Sequence, residues 1–205
     1  MERVTSRSAE ERADGSYGEQ QQLFMQTINH LRHDWMNDIQ VLYGYLKLKK
    51  YDKMHDYMDM VKDKMAKENG ISRLGIPDLV VYVQSFRVRC RSIRLEVELE
   101  SGLQLTVLPI DQEALSDAII GVLESFVKHS GMAADGEPNH LVLKTSLKEQ
   151  CLIVGFEYSG CYERSGLQRD IHNVLRSSGV EQRIDGEAAY DENEAVIGFH
   201  VPLEG

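Results

Sequence analysis

Among the seven histidines of the 205-residue chain, His33 sits in a pattern suited to nucleophilic chemistry. Counting from it by helical steps of three or four places Gln26, Asn29, Asn37, Gln40 and Gly44 on its own face. That face is polar yet almost uncharged, whereas a merely solvated helix face carries Glu and Lys at such positions. Amides and a glycine suit a surface that another protein touches closely. Imidazole as a side chain is partly unprotonated near neutral pH, so a ring nitrogen presented to solvent on a rigid helix can attack phosphorus. Phosphoryl transfer asks the protein mainly for in-line positioning and neutralised charge. Arg32 is the nearby cation. Asp34 opposes a phosphoryl group but can orient the imidazole, and Asn37, one turn on, can donate to a phosphoryl oxygen.

A plain surface histidine is the competing description of His33, and a metal site is a second functional one. His30, His33 and Asp34 have the i, i+3, i+4 spacing of helical ligands, but no further cluster of His, Cys and acid is readable elsewhere. His55, His129, His140, His172 and His200 belong to no partnered motif and read as surface or strand-end residues. The chain has no G-x-x-x-x-G-K-[ST] phosphate loop, no G-x-S-x-G elbow and no H-E-x-x-H.

The element that must carry His33 is a long helix. From Glu19 to about Leu48 there is no proline, and Phe24, Ile28, Leu31, Trp35, Ile39, Leu42 and Leu46 follow one another by three or four residues. At ~100° per residue, Trp35 lies about 200° from His33, so the apolar stripe faces inward while the imidazole faces out. A second stripe, Tyr51, Met54, Met58, Val61 and Met65, follows "KKYD" and ends at "KENGIS", where Gly70 is placed as a stop. The methionines of this stripe read as core packing. So short a connection makes an antiparallel hairpin. One hairpin cannot cover both of its apolar seams, and two chains pairing as a four-helix bundle would; a hairpin folded onto the second half of its own chain is the alternative.

Residues 1–18 are polar and read as a disordered tail. Residues 19–70 form the hairpin, and residues 71–205 read as an α+β domain. In it Pro77 opens a helix to about Arg91, "RLEVELE" and "LQLTVLP" are strand candidates, and "DQEALSDAIIGVLESFVKH" is a helix. "HLVLKTSLKE" and "CLIVGFEYSG" form a strand hairpin, "GLQRDIHNVLRSSG" is a helix closed by Gly179, and "VEQRID" and "EAVIGFHVPL" are the last strand pair. Acids outnumber bases by 33 to 23, a net charge of −10, which disfavours nucleic acid and anionic membranes as partners. No apolar run is long enough to span a bilayer, and the charged N-terminus has no signal-peptide core. Cys90, Cys151 and Cys161, an odd set without C-x-x-C, read as reduced thiols of a cytoplasmic protein.

The segment "LRHDWMNDIQVLYGYLKLKKYDKMHDYM" resembles the sporulation initiation phosphotransferase B family of endospore-forming bacteria. A related hairpin with an H-D-x-x-N pattern before a "YD" turn occurs in sensor histidine kinases of the citrate and fumarate type. Here the pattern is His33, Asp34 and Asn37, with Tyr51 and Asp52 at the turn. The resemblance implies a dimeric four-helix bundle followed by a degenerate histidine-kinase ATPase-like α/β sandwich. It implies a phosphorelay phosphotransferase in sporulation initiation, in which His33 takes a phosphoryl group from the aspartate of one response regulator and gives it to the aspartate of another. Kinases of the wider superfamily hold magnesium and ATP with an Asn-x-x-x-Asn helix; aligned by element order, those places hold Val122 and Phe126. The D-x-G-x-G loop is replaced by "EYSGCY", and "LRSSGVEQRIDG" is a poor lid.

The expected enzyme is therefore a homodimeric phosphotransferase without a bound cofactor or metal, magnesium arriving with the response-regulator receiver domain. His33 is the catalytic residue, with Asn29, Arg32, Asp34, Asn37 and Gln40 supporting it and contacting the regulator. Phe24, Ile28, Leu31, Trp35, Ile39 and Leu42 are the expected dimer interface. A sensor-type histidine kinase with an eroded ATP site and a non-catalytic regulator-binding scaffold are the alternatives.

Overall fold

Helix α1 runs Arg3–Lys47 and helix α2 runs Tyr51–Ser72 in a computed structural model that describes residues 3–131, 136–178 and 188–203. The backbone of residues 3–18 is thus helical, where their polar composition had suggested a tail. The stretch has no proline, and each of its two glycines, Gly15 and Gly18, costs only about 1 kcal/mol in a helix. The chain divides into two units inside α2, the first ending at Lys62 and the second starting at Asp63.

In the first unit, α1 ends in a hydrogen-bonded reversal. The amide of Lys50 donates to the carbonyl of Tyr45 (3.0 Å), and that of Lys49 donates to Leu46 (3.0 Å). These are the two bonds of a Schellman motif, which calls for a left-handed residue after the helix. Lys49 fills that place at φ 54°, where glycine would carry no Cβ penalty. Across the hairpin the Tyr57 hydroxyl donates to Asp38 (2.9 Å), and the Tyr57 and Tyr45 rings meet edge to face at 6.2 Å. The hydrogen bond to Asp38 raises the Tyr57 pKa from 10.0. α2 has no buried side chain among its described residues, so this hairpin has no closed core.

The second unit begins with the end of α2. The helix continues through Gly70 to Ser72, and the stop is Gly75, at φ 74°. A Cβ there would come within 2.6 Å of the Thr106 methyl. Next come α3 (Pro77–Arg89), β1 (Ile93–Leu99), a single 3-10 turn (Leu105–Val107), α4 (Gln112–His129), β2 (Asn139–Lys148), β3 (Cys151–Ser159), α5 (Arg164–Ser177), β4 (Ala189–Tyr190) and β5 (Glu194–Pro202). "LQLTVLP" is therefore not a strand: Leu103 and Leu105 are buried there by a turn rather than by pairing. The expected strand "VEQRID" and the helix stop at Gly179 lie outside the described residues.

The sheet order is β1-β2-β3-β5-β4. β1 pairs in parallel with β2, and the other neighbours are antiparallel. One face of the sheet, built from Leu141, Leu143, Val154, Phe156, Tyr158, Ala195, Ile197 and Phe199, is buried against apolar residues of α3, α4 and α5. Its alternate positions carry His140, Lys144, Glu157 and Glu194. This alternation of buried and polar positions is that of a sheet packed on one side. Phe126 of α4 stacks on Tyr158 at 5.1 Å. Asp111 caps α4 and Glu163 caps α5 through side-chain carboxylates.

Replacing Lys49 by glycine removes the left-handed strain, and we expect a gain of roughly 0.5–1 kcal/mol in the unfolding free energy of the hairpin, measured by urea titration. Tyr57→Phe should lose about 1 kcal/mol in the same titration. The Tyr57 contribution is present below pH 10.0, the ordinary tyrosine value, and is lost as pH rises through its higher folded pKa. The alkaline fall in hairpin stability should therefore be shallower in Tyr57→Phe.

Candidate functional site

α1 turns His33 outward. Its side chain is 71% exposed, and its Nδ1 lies 4.0 Å from Asp34 Oδ1, a carboxylate only 17% exposed. One turn on, the side-chain amide of Asn37 lies 3.1 Å from the same Nδ1. The i, i+4 spacing creates this contact, since residues four apart share one face of the helix. Two arrangements satisfy it: Nδ1 accepts from the amide nitrogen, or, with the amide turned over, Nδ1–H donates to the amide oxygen. The second arrangement puts the proton on Nδ1. In that arrangement the lone pair sits on Nε2, on the side of the ring away from Asp34 and Asn37.

Asn29, Arg32, Asn37 and Gln40 are exposed beside His33, while Asp34 is half-buried. The expected interface residues Phe24 (64%), Trp35 (54%) and Ile39 (58%) are exposed, and Ile28 with them. Leu31 and Leu42 are half-buried. Met25, Met36 and Tyr43 are also exposed; at ~100° per residue they lie between His33 and the Trp35 stripe. Sequence periodicity left them unassigned because they continue neither stripe. His30 belongs elsewhere, its Nε2 buried without a hydrogen-bond partner. Among the described residues no group of three His, Cys, Asp or Glu side chains is placed to hold a metal ion.

The second unit contains a cluster that the sequence did not reveal. His129, at the end of α4, places Nε2 2.9 Å from Asp170 of α5 and Nδ1 3.6 Å from Glu163. Lys128 pairs with the same Asp170. Gly166 lets the imidazole approach: a Cβ there would fall 2.3 Å from its Cε1. His129 is thus a partnered, half-buried residue, not a plain surface one, and the 41-residue separation from Asp170 gives no sequence signal. Lys128, first, and His129 hold the Asp170 carboxyl down to about 2 from 3.8.

Beside this cluster Gly121, Glu124, Ser125 and Lys128 of α4 and Asp170, Asn173 and Val174 of α5 line a cleft of about 400 Å³. Alignment by element order had assigned Val122 and Phe126 to nucleotide-ligand places. Both lie in the core, at 0% and 1% exposure, while Gly121 and the buried Ser125, one residue earlier, line the cleft. Neither is an asparagine. The Ser125 hydroxyl donates to the Gly121 carbonyl (2.8 Å), and Val174 lies over Gly121, where an added Cβ would meet its Cγ1 at 2.5 Å. In "EYSGCY", Gly160 is at φ 146°, tight against Asn139, which accepts from the Cys161 amide (3.1 Å) and donates to the Gly131 carbonyl (2.7 Å). This turn is held by protein hydrogen bonds.

Residues 16–74 match the model of the alpha-helical domain of SpoOB-type sensor kinases, and the segment includes His33, Asp34 and Asn37. Sporulation initiation phosphotransferase B of Bacillus subtilis (strain 168) is 26% identical over 157 residues, covering 75% of this chain and 77% of the relative. Among solved structures, histidine kinase AdeS of Acinetobacter baumannii superposes with a TM-score of 0.44 at 11% identity, over 84% of this chain and 98% of that one. The catalytic domain of histidine kinase ThkA gives 0.43 at 15% identity, over 62% and 90%.

Asp170 stabilises the α4–α5 contact above pH 3.8 and loses that contribution as pH falls towards about 2. Thermal melts across that interval should show a steeper acid-side fall in Tm for the natural chain than for Asp170→Asn. Equal slopes would mean that the pair adds nothing.

Proposed function

We propose that the chain is a phosphorelay phosphotransferase that carries a phosphoryl group from the aspartate of one response regulator to that of another through phosphohistidine at His33. What carries this reading is the exposed imidazole with its Nδ1 side occupied by Asn37 and Asp34, on the segment that matches the sensor-kinase helical domain. The named activity of the Bacillus subtilis relative, a sporulation initiation phosphotransferase, supports it.

The step follows from the atoms. The Nε2 lone pair attacks phosphorus, an N–P bond forms, and the P–O bond to the donor aspartate breaks with its electrons going to the carboxylate. The imidazole gains positive charge, which Asp34 offsets from the Nδ1 side. The second transfer is the reverse, with an incoming carboxylate oxygen displacing Nε2. Asn37 holds the ring from its Nδ1 side, Arg32, Asn29 and Gln40 stand exposed at neighbouring positions of α1 to meet the regulator, and the regulator supplies its own magnesium.

The reading includes a homodimer. Phe24, Ile28, Trp35 and Ile39 form an apolar ribbon on the far side of α1 from His33, of a kind that marks an association surface. Pairing two such hairpins as a four-helix bundle buries the ribbon and leaves both imidazoles outside.

His33→Ala should accept no label from a phosphorylated receiver domain while keeping its helical circular dichroism; label on that variant would refute the assignment. Asn37→Ala should slow transfer roughly five- to tenfold, the value of one orienting hydrogen bond. Trp35→Asp combined with Ile39→Asp should convert a dimer into a monomer by light scattering, and an unchanged mass would remove the bundle. Micromolar ATP binding by calorimetry would favour an autophosphorylating kinase instead.

A further inference from the structure

A response regulator presenting an aspartyl phosphate with a divalent cation must surround that cation with carboxylates, so its reacting face is acidic. This chain carries a net charge of −10. Two acidic proteins repel at long range unless one presents a local patch of opposite sign.

The first unit has one. The reversal between α1 and α2 reads Lys47-Leu48-Lys49-Lys50-Tyr51-Asp52-Lys53, with four cations and one acid, all exposed. Another run of cations, Arg87, Arg89, Arg91 and Arg94, is largely engaged: Arg89 donates to Ser85 and lies over the Tyr82 ring, and Arg94 pairs with Glu96; of Lys62, Lys64 and Lys67, Lys62 pairs with Asp59 and Lys67 with Glu96. Lys47 stands on the His33 side of α1, within about 40° of it around the axis and about 21 Å along it. Its ammonium folds back over the Tyr43 ring at 4.7 Å, one turn nearer to His33. A domain of on the order of 100 residues has a radius of gyration of about 13 Å and so a radius of about 17 Å. Centred on His33, its edge lies within one Debye length of about 8 Å from Lys47. Lys49 occupies a left-handed position that glycine fills without strain.

We propose that Lys47, Lys49, Lys50 and Lys53 form a cationic rim that captures the acidic reacting face of a response-regulator receiver domain and sets its rate of association with His33. This deepens the phosphotransfer reading and rests on it. The rim acts before chemistry, so it governs the association rate constant and kcat/KM, not the transfer step on the bound complex.

The test uses the full chain and a labelled, phosphorylated receiver domain from which the natural chain takes label. Two triple variants are compared, K47E/K50E/K53E and K47A/K50A/K53A; all three sites are exposed and outside the His33 machinery. At low salt the glutamate variant should associate roughly tenfold more slowly, the alanine variant by an intermediate factor, and both should converge on the natural chain at ~0.5 M salt. Single-turnover transfer at saturating receiver should be the same for all three. Label on the natural chain with equal association constants for the variants overturns this inference alone. Absence of label on the natural chain overturns the phosphotransfer reading and this inference with it. Lysine-dependent binding to phosphatidylserine vesicles, with receiver association unaffected, would assign the rim to a lipid surface and also overturn it.

Discussion

The angular arithmetic of one helix governs the first unit. At ~100° per residue, α1 distributes its side chains among directions that do not interchange. Thr27, Asp38 and Tyr45 turn to the hairpin seam, where Tyr57 donates to Asp38. Phe24, Trp35 and Ile39 turn to an open apolar ribbon. His33 turns away from both, with Asn37 one turn beyond it. Inserting one residue between Leu31 and Trp35 would rotate each set out of its direction. The direction in which His33 faces is thus tied to the register of the whole rod, in which the Tyr57–Asp38 hydrogen bond is one seam contact.

The two units solve burial differently. The second has a continuous core under one sheet face, with Phe126, Phe156, Tyr158 and Phe199 at its centre. The first has polar contacts at its seam and large apolar side chains in water. A domain normally buries such side chains at about 25 cal/mol per Å². The missing burial in the hairpin is the physical reason to read its ribbon as a surface that a second chain covers.

Much of this was legible from local pattern. The steps from Phe24 to Leu46 placed α1 and set His33 opposite Trp35, and the alternation in β2, β3 and β5 marked the buried sheet face. Where the pattern misled, a stronger interaction had overridden it. Gly70 looked like a stop, but helical backbone tolerates a lone glycine, and the chain turns at Gly75, where Thr106 leaves no room for a Cβ. "LQLTVLP" alternates like a strand, yet it buries its leucines from a turn. In α4 element order pointed to Val122 and Phe126, which the helix turns into the core, because element order fixes a helix but not its rotation. The link from His129 to Asp170 spans 41 residues, and only the packing of α5 on α4 brings them together.

The contact between Val174 and Gly121 ties two distant codons into one decision. Any side chain at 121 needs α5 to move or position 174 to shrink, and a smaller residue at 174 alone leaves a hole between the helices. Single substitutions at either site are therefore penalised while the matched double change is not. Lineages that differ at either position should therefore differ at both together.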